Sequence, residues 1–106
     1  MYTICETTFF TNEYPYYWTE EQYNDFKIFI AENPTAGDVE PGTGGVRKIR
    51  WGGKSKGKQG GVRVIYYNRL ANGEIWLLTL YSKDTITQLE KKTLRQLAEL
   101  LKWVVY

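Results

Sequence analysis

The chain has 106 residues, a length that suits one domain around one core. Hydrophobic residues make up 42% and charged residues 25%, the balance of a globular protein, and no apolar run approaches the length of a bilayer span. There is no histidine and one cysteine, Cys5, which excludes a Ser–His–Asp triad, a Cys–His nucleophile and an intrachain disulfide, and argues against a zinc site.

The net charge of +2 conceals a strong segregation. Residues 1–45 carry eight acidic residues and one basic, Lys27, whereas residues 46–69 carry eight basic residues and no acidic one. Such asymmetry predicts a one-sided electrostatic surface and a polyanionic partner held in a salt-dependent way. Nothing at the N-terminus reads as a secretory signal, and with a single free thiol the expected location is cytoplasmic. One domain over residues 1–106 is expected, with no repeat or linker.

In chain order, residues 2–10 are rich in Thr, Ile and aromatics and open as a short strand that turns into a short helix before Tyr14. Thr19-Glu20-Glu21-Gln22 is a capping box, with Thr19 as N-cap and Gln22 reaching back. The helix it starts buries Tyr23, Phe26 and Ile30 on one face, with Phe29 beside them. Pro34 disfavours helix at Asn33, so the helix ends there. Glu20, Glu21 and Asp25 near its start suit the helix dipole, a structural role. Residues 34–45, with glycines 37, 42, 44 and 45, read as a loop.

Residues 46–51 alternate, with Val46, Lys48 and Arg50 on one side and Arg47, Ile49 and Trp51 on the other. Residues 52–60 form a loop. The strand after it, at 61–68, sets Val62, Val64 and Tyr66 against Arg63, Ile65 and Tyr67. Asn72-Gly73 marks a hairpin turn. Residues 74–82 are continuously apolar through Ile75, Trp76, Leu77, Leu78 and Leu80, as in a sheet-interior strand. Thr87 and Glu90 form a second capping box, opening a helix to about Val104 whose apolar face is Leu94, Leu97, Leu101 and Val104, widened by Leu100.

From Arg47 to Arg63 lie seven basic residues, Arg47, Lys48, Arg50, Lys54, Lys56, Lys58 and Arg63. Two strands and a glycine-rich loop hold them, an arrangement suited to a phosphate chain, RNA or DNA. Residues 52–58 match the spacing GxxxxGK, but Gln59 stands where a P-loop needs Ser or Thr, and a strand follows where a helix is needed. Nucleotide binding is rejected on both counts. Carboxylates are missing from the basic run, so a two-metal nuclease has no evident ligands and an enzyme here would rely on Lys, Arg and Tyr. No cofactor is expected.

The segments GTGGVRKIRW, KGKQGGVRVIYY and IWLLTLYSKD resemble the successive sheet motifs of the RelE/HigB-type toxins of the RelE/ParE superfamily, and NPTAGDVEPGTGG ahead of them is similar to its HigB branch. The match runs from about Thr19 to Leu101. The resemblance implies a compact α+β fold with N-terminal helices packed on a twisted, mainly antiparallel sheet and a C-terminal helix. It implies a ribosome-dependent endoribonuclease that cuts messenger RNA in the ribosomal A site, and a cognate antitoxin, often of helix-turn-helix type.

By the same resemblance, Lys48 and Arg50 match the family's two basic strand positions, Arg63 its phosphate-binding arginine, and Lys83 a basic position near the site. Arg47, Lys54, Lys56, Lys58 and Trp51 are the candidate RNA and ribosome contacts, with core or edge packing as the competing role for Trp51. Asp84 stands where some relatives carry an arginine as proton donor, so the acid and base stay open. Tyr81 is a substitute donor, with a place in the core as its other reading. The chemistry is consistent with this set: RNA supplies its own nucleophile, the 2′-hydroxyl, and cleavage needs in-line geometry, a base, charge stabilisation and an acid, but no metal. Two other functions remain open at this point: a non-catalytic nucleic-acid-binding domain using the same basic loop, and a gyrase-poisoning toxin of the ParE kind.

Overall fold

The computed structural model describes residues 2–52, 61–82 and 88–102. Strand β1 (Thr3–Glu6) leads into helix α1 (Thr8–Glu13) and a 3₁₀ turn at Tyr14–Tyr16; helix α2 (Glu20–Glu32) follows. Then come β2 (Asp38–Val39), β3 (Arg47–Trp51), β4 (Val62–Arg69), β5 (Glu74–Tyr81) and helix α3 (Gln88–Lys102). The strands form one sheet in the order β1-β5-β4-β3-β2. Three of its four pairings are antiparallel, and β1 runs parallel to β5. This is the expected α+β architecture. Among the described residues no helix is long and apolar enough to cross a membrane.

Local chemistry accounts for the element ends. Gln22 N–H donates to Thr19 Oγ1 at 3.1 Å and Thr19 N–H to Gln22 Oε1 at 2.9 Å, so the predicted capping box starts α2. Asn33 caps its other end ahead of Pro34. Gly73, with φ of 70°, takes the left-handed position that closes the β4–β5 turn. At Gly61, φ is 86° and a Cβ would lie 2.1 Å from the Trp51 carbonyl oxygen, so only glycine permits β4 to leave this close to β3.

Two points differ from expectation. Residues 34–45 are not all loop: Asp38 and Val39 pair with Lys48 and Arg47 as a short edge strand. The turn between them and β3 is tied by the fully buried Thr43, whose Oγ1 donates to the Glu40 carbonyl at 2.6 Å and accepts from Val46 N–H at 3.2 Å. The pairing is only two residues long and has no sequence period to reveal it. Second, β5 is bulged. Ile65 pairs with Thr79 and Tyr66 with Leu77, leaving Leu78 as the extra residue. The second capping box and the end of the last helix fall on Thr87 and Val104, outside the described residues.

The sheet buries both faces. On the first, α1 and α2 cover Val62, Val64, Tyr66, Ile75, Leu77 and Leu80 with Phe10, Trp18, Tyr23, Phe26 and Ile30. On the second, α3 lays Leu94 and Ala98 on Val46, Ile65, Tyr67 and Leu78. Each fully buried large side chain contributes about 1.5–3 kcal/mol of transfer free energy, so the aromatic first face is the main anchor.

Candidate active site

The bulge decides which face Tyr81 serves. In an unbroken strand Tyr81 would share a face with Leu77, in the aromatic core. The extra residue reverses the alternation, so Leu80 joins the first face and Tyr81 the second. There it pairs directly with Arg63, which pairs in turn with Arg50. Arg50, Arg63 and Tyr81 thus form a row across three strands, each Cα about 5 Å from the next. Lys48, two residues before Arg50, points to the same face.

Arg63 is 4% exposed. Its guanidinium donates to the Ser82 carbonyl at 2.7 Å and the Gly61 carbonyl at 3.2 Å, which fixes the fork at the end of the β4–β5 pair. An arginine keeps its charge when buried, so this is a rigid, partly desolvated cation. Beside it, the Tyr81 hydroxyl oxygen is buried and has no hydrogen-bond partner among the described residues. A buried orphan hydroxyl is costly, and one beside a fixed guanidinium is what a ligand oxygen would satisfy. Burial, then the negative charges of Glu90 and Glu40, push the Tyr81 phenol up to about 12 despite the opposing Arg63 charge. At neutral pH it is therefore a donor.

Two carboxylates in this constellation were not expected from the sequence. Glu40 sits just past β2 and its Oε1 lies 3.6 Å from Lys48 Nζ, with the carboxylate side chain only 15% exposed. Its backbone is held at both ends, by Glu40 N–H to the Val46 carbonyl and by Thr43 on its own carbonyl. Glu90, in the first turn of α3, lines with Tyr81 an apolar groove of about 630 Å³ between α1, β5 and α3. The basic run contains no acid in sequence, yet its strand lies beside one in space. The signal was there only indirectly, in a short polar segment, GDVEPG, able to pair with β3. No group of three or more metal-ligating side chains occurs among the described residues.

The structure brings Lys48, Arg50, Arg63 and Tyr81 together and separates two others from them. Arg47 is on the opposite face, where its guanidinium donates to the Gly37 carbonyl at 2.6 Å. Trp51 is on that face as well, its ring 5.5 Å from Phe26 edge-on and 4.9 Å from Phe29. Lys54, Lys56, Lys58 and Lys83 lie outside the described residues.

No family model matches the sequence. In structure the chain is similar to a chain of the intact E. coli RelBE toxin–antitoxin complex, with a TM-score of 0.61 and 16% identity over 80% of this chain and 100% of that one. It is similar too to the isolated E. coli RelE toxin, with a TM-score of 0.59 and 14% identity over 92% of this chain and 99% of that one. At such identities the likeness speaks for architecture, and in architecture the chain is RelE-like.

Proposed function

We propose that this protein is a toxin of a RelBE-like toxin–antitoxin system: an endoribonuclease that cleaves messenger RNA in the ribosomal A site, stops translation, and is neutralised by a cognate antitoxin. The RelE-like fold supports the class. The observation that carries the chemistry is the row Arg50–Arg63–Tyr81 with Lys48 and Glu40 at its end. The reaction is metal-independent. The 2′-oxygen attacks the adjacent phosphorus and the 5′-oxygen leaves, giving a cyclic phosphate.

Arg63 clamps the non-bridging oxygens, and Lys48 and Arg50 balance the charge that grows on them. Glu40, held against Lys48, takes the 2′-hydroxyl proton. Tyr81, protonated at neutral pH and without a hydrogen-bond partner among the described residues, gives its proton to the departing 5′-oxygen. The ribosome would supply the in-line alignment of the RNA. The antitoxin is expected to be of helix-turn-helix type, and the likeness of the sequence motifs supports the HigB branch. A row of cations around a tyrosine and a carboxylate favours RNA cleavage over gyrase poisoning or plain nucleic-acid binding, neither of which needs a proton donor and acceptor.

The test is primer extension on messenger RNA in a reconstituted translation reaction, with wild type and Arg63→Ala. Cuts at defined codon positions that require ribosomes and fall roughly 10²–10³-fold in the variant are expected. A folded wild-type protein that produces no cuts ends the ribonuclease reading, and gyrase inhibition would be assayed in its place.

A further inference from the structure

Beside the Glu40 end of the row is a second, separate concavity of about 490 Å³. Its walls are the Pro41–Gly42 turn and three cations from one turn and a half of α3: Lys91, Lys92 and Arg95. Among the described residues no acidic side chain lines it. Among the described residues none of the three cations makes an ion pair. A helix that carries Leu94 and Ala98 inward as core does not need three unpaired like charges gathered against one turn, where their mutual repulsion costs stability. A bound polyanion would reverse that cost.

The turn is rigidly placed. Thr43 ties it from within, and Gly42 and Gly44 hold positive φ of 78° and 75°. A Cβ at Gly44 would stand 3.8 Å from Arg95 Cγ, so the helix side chain lies against the turn. The turn also begins at Pro41, the residue after Glu40, so the concavity adjoins the proposed reaction site.

We propose that Lys91, Lys92 and Arg95, with the Pro41–Gly42 turn, form a second phosphate subsite that holds the RNA backbone away from the scissile bond. This rests on the ribonuclease reading for its substrate, though the pocket's affinity for a polyanion does not. The phosphates come either from the substrate strand or from ribosomal RNA, and the subsite's role is to hold the strand, so it acts on binding and leaves the bond-breaking step alone.

The experiment compares wild type with Lys91→Gln/Arg95→Gln and with the charge reversal Arg95→Glu, all three exposed enough to leave the fold intact, which circular dichroism checks. A single-stranded RNA oligonucleotide with 2′-O-methyl groups, which cannot be cut, is titrated over a range of salt, and ribosomes with an empty A site are titrated separately. Losing one phosphate contact lowers the slope of log K against log salt by about 0.7 on single-stranded RNA. That loss on the oligonucleotide assigns the subsite to the substrate strand; a loss on ribosomes alone assigns it to ribosomal RNA.

In cleavage, KM should rise about tenfold with kcat within twofold, and Arg95→Glu should exceed the double variant. Unchanged slopes on both RNAs overturn the proposal. A wild type that binds the oligonucleotide with the full slope but never cleaves overturns the ribonuclease reading and leaves the subsite standing.

Discussion

The two faces of the sheet are built from alternate residues of the same strands, and they answer different demands. The face under α1 and α2 is closed by aromatic packing: Phe10, Trp18, Tyr23, Phe26 and Tyr66 are almost wholly buried, with ring centroids 5.2–6.4 Å apart between Trp18 and its neighbours Phe10, Tyr23 and Phe26. The face under α3 is core for only part of its length. Where Leu94 and Ala98 stop, Arg63, Arg50, Lys48 and Tyr81 take over. Three cations, Lys48, Arg50 and Arg63, thus share the face beyond the part that Leu94 and Ala98 cover. A rigid aromatic face lets the other face hold a buried guanidinium and an unsatisfied hydroxyl, both of which cost stability.

The sharpest way to break this division is to damage one face and read the other. Phe26→Ala empties a fully buried ring site and should cost about 3–5 kcal/mol. Thermal or urea unfolding would measure it, while cleavage per folded molecule at low temperature stays at wild type. Reduced activity of the folded fraction would contradict the division. In the other direction, Arg63→Lys keeps a charge and loses the planar fork, and should lower the cleavage rate roughly 10²-fold. Glu40→Gln, which cannot accept the proton, should lower it by about 10² too. A Glu40→Gln protein with wild-type rate would show that the proton goes elsewhere.

Much of this division was readable from the sequence, in particular places. The Thr19–Gln22 box and Pro34 bounded α2 because capping is local chemistry. Alternation put Lys48 and Arg50 on one side of Val46–Trp51 and Arg63 opposite Val62 and Val64 in the next strand, because a strand has a fixed period of two; that the two sides share one face came from the Arg50–Arg63 pairing. The same alternation put Arg47 and Trp51 on the other side; that they meet Gly37 and the α2 aromatics there, where RNA contacts were expected, only the structure shows. What stayed hidden was non-local. The parallel β1–β5 pair joins Thr3 to Glu74, 71 positions away, and nothing in either segment names its partner. The bulge at Leu78 lies inside a continuous apolar run, so no break in period announces that Tyr81 changes face. Glu40 belongs to the acidic segment of residues 1–45, and counting charge by segment set it apart from the basic strand that it touches.

Trp51 offers a smaller test of where the boundary between the faces lies. It sits between β3 and the α2 aromatics, half-buried, at the end of the strand that carries Arg50. Trp51→Leu removes the edge contact on Phe26 and should cost about 1–2 kcal/mol, beyond which its ring has no task on the α3 side. Cleavage and oligonucleotide affinity should change less than twofold. An affinity loss of tenfold would mean that the ring also stacks on RNA, and that binding extends round the sheet edge.

The smallest effect separates the faces by proton titration. Tyr81 is raised from an ordinary 10 to about 12, chiefly by burial, and Tyr66 on the opposite face is raised for the same first reason. A phenol raised in the folded state keeps its full stabilising contribution below pH 10, where both states are neutral. As pH climbs from 10 through about 12, the unfolded chain ionises more readily than the folded one and that contribution is lost. Tyr81→Phe should leave stability at pH 7 equal or slightly higher, since an unpartnered buried hydroxyl is removed. It should also flatten, without abolishing, the fall in urea midpoint between pH 10 and 12, because the phenol of Tyr66 is raised by burial as well and acts in the same sense. An alkaline fall as steep as that of wild type would mean that the Tyr81 hydroxyl is solvated in solution, and the proton donor would then have to be sought on another residue.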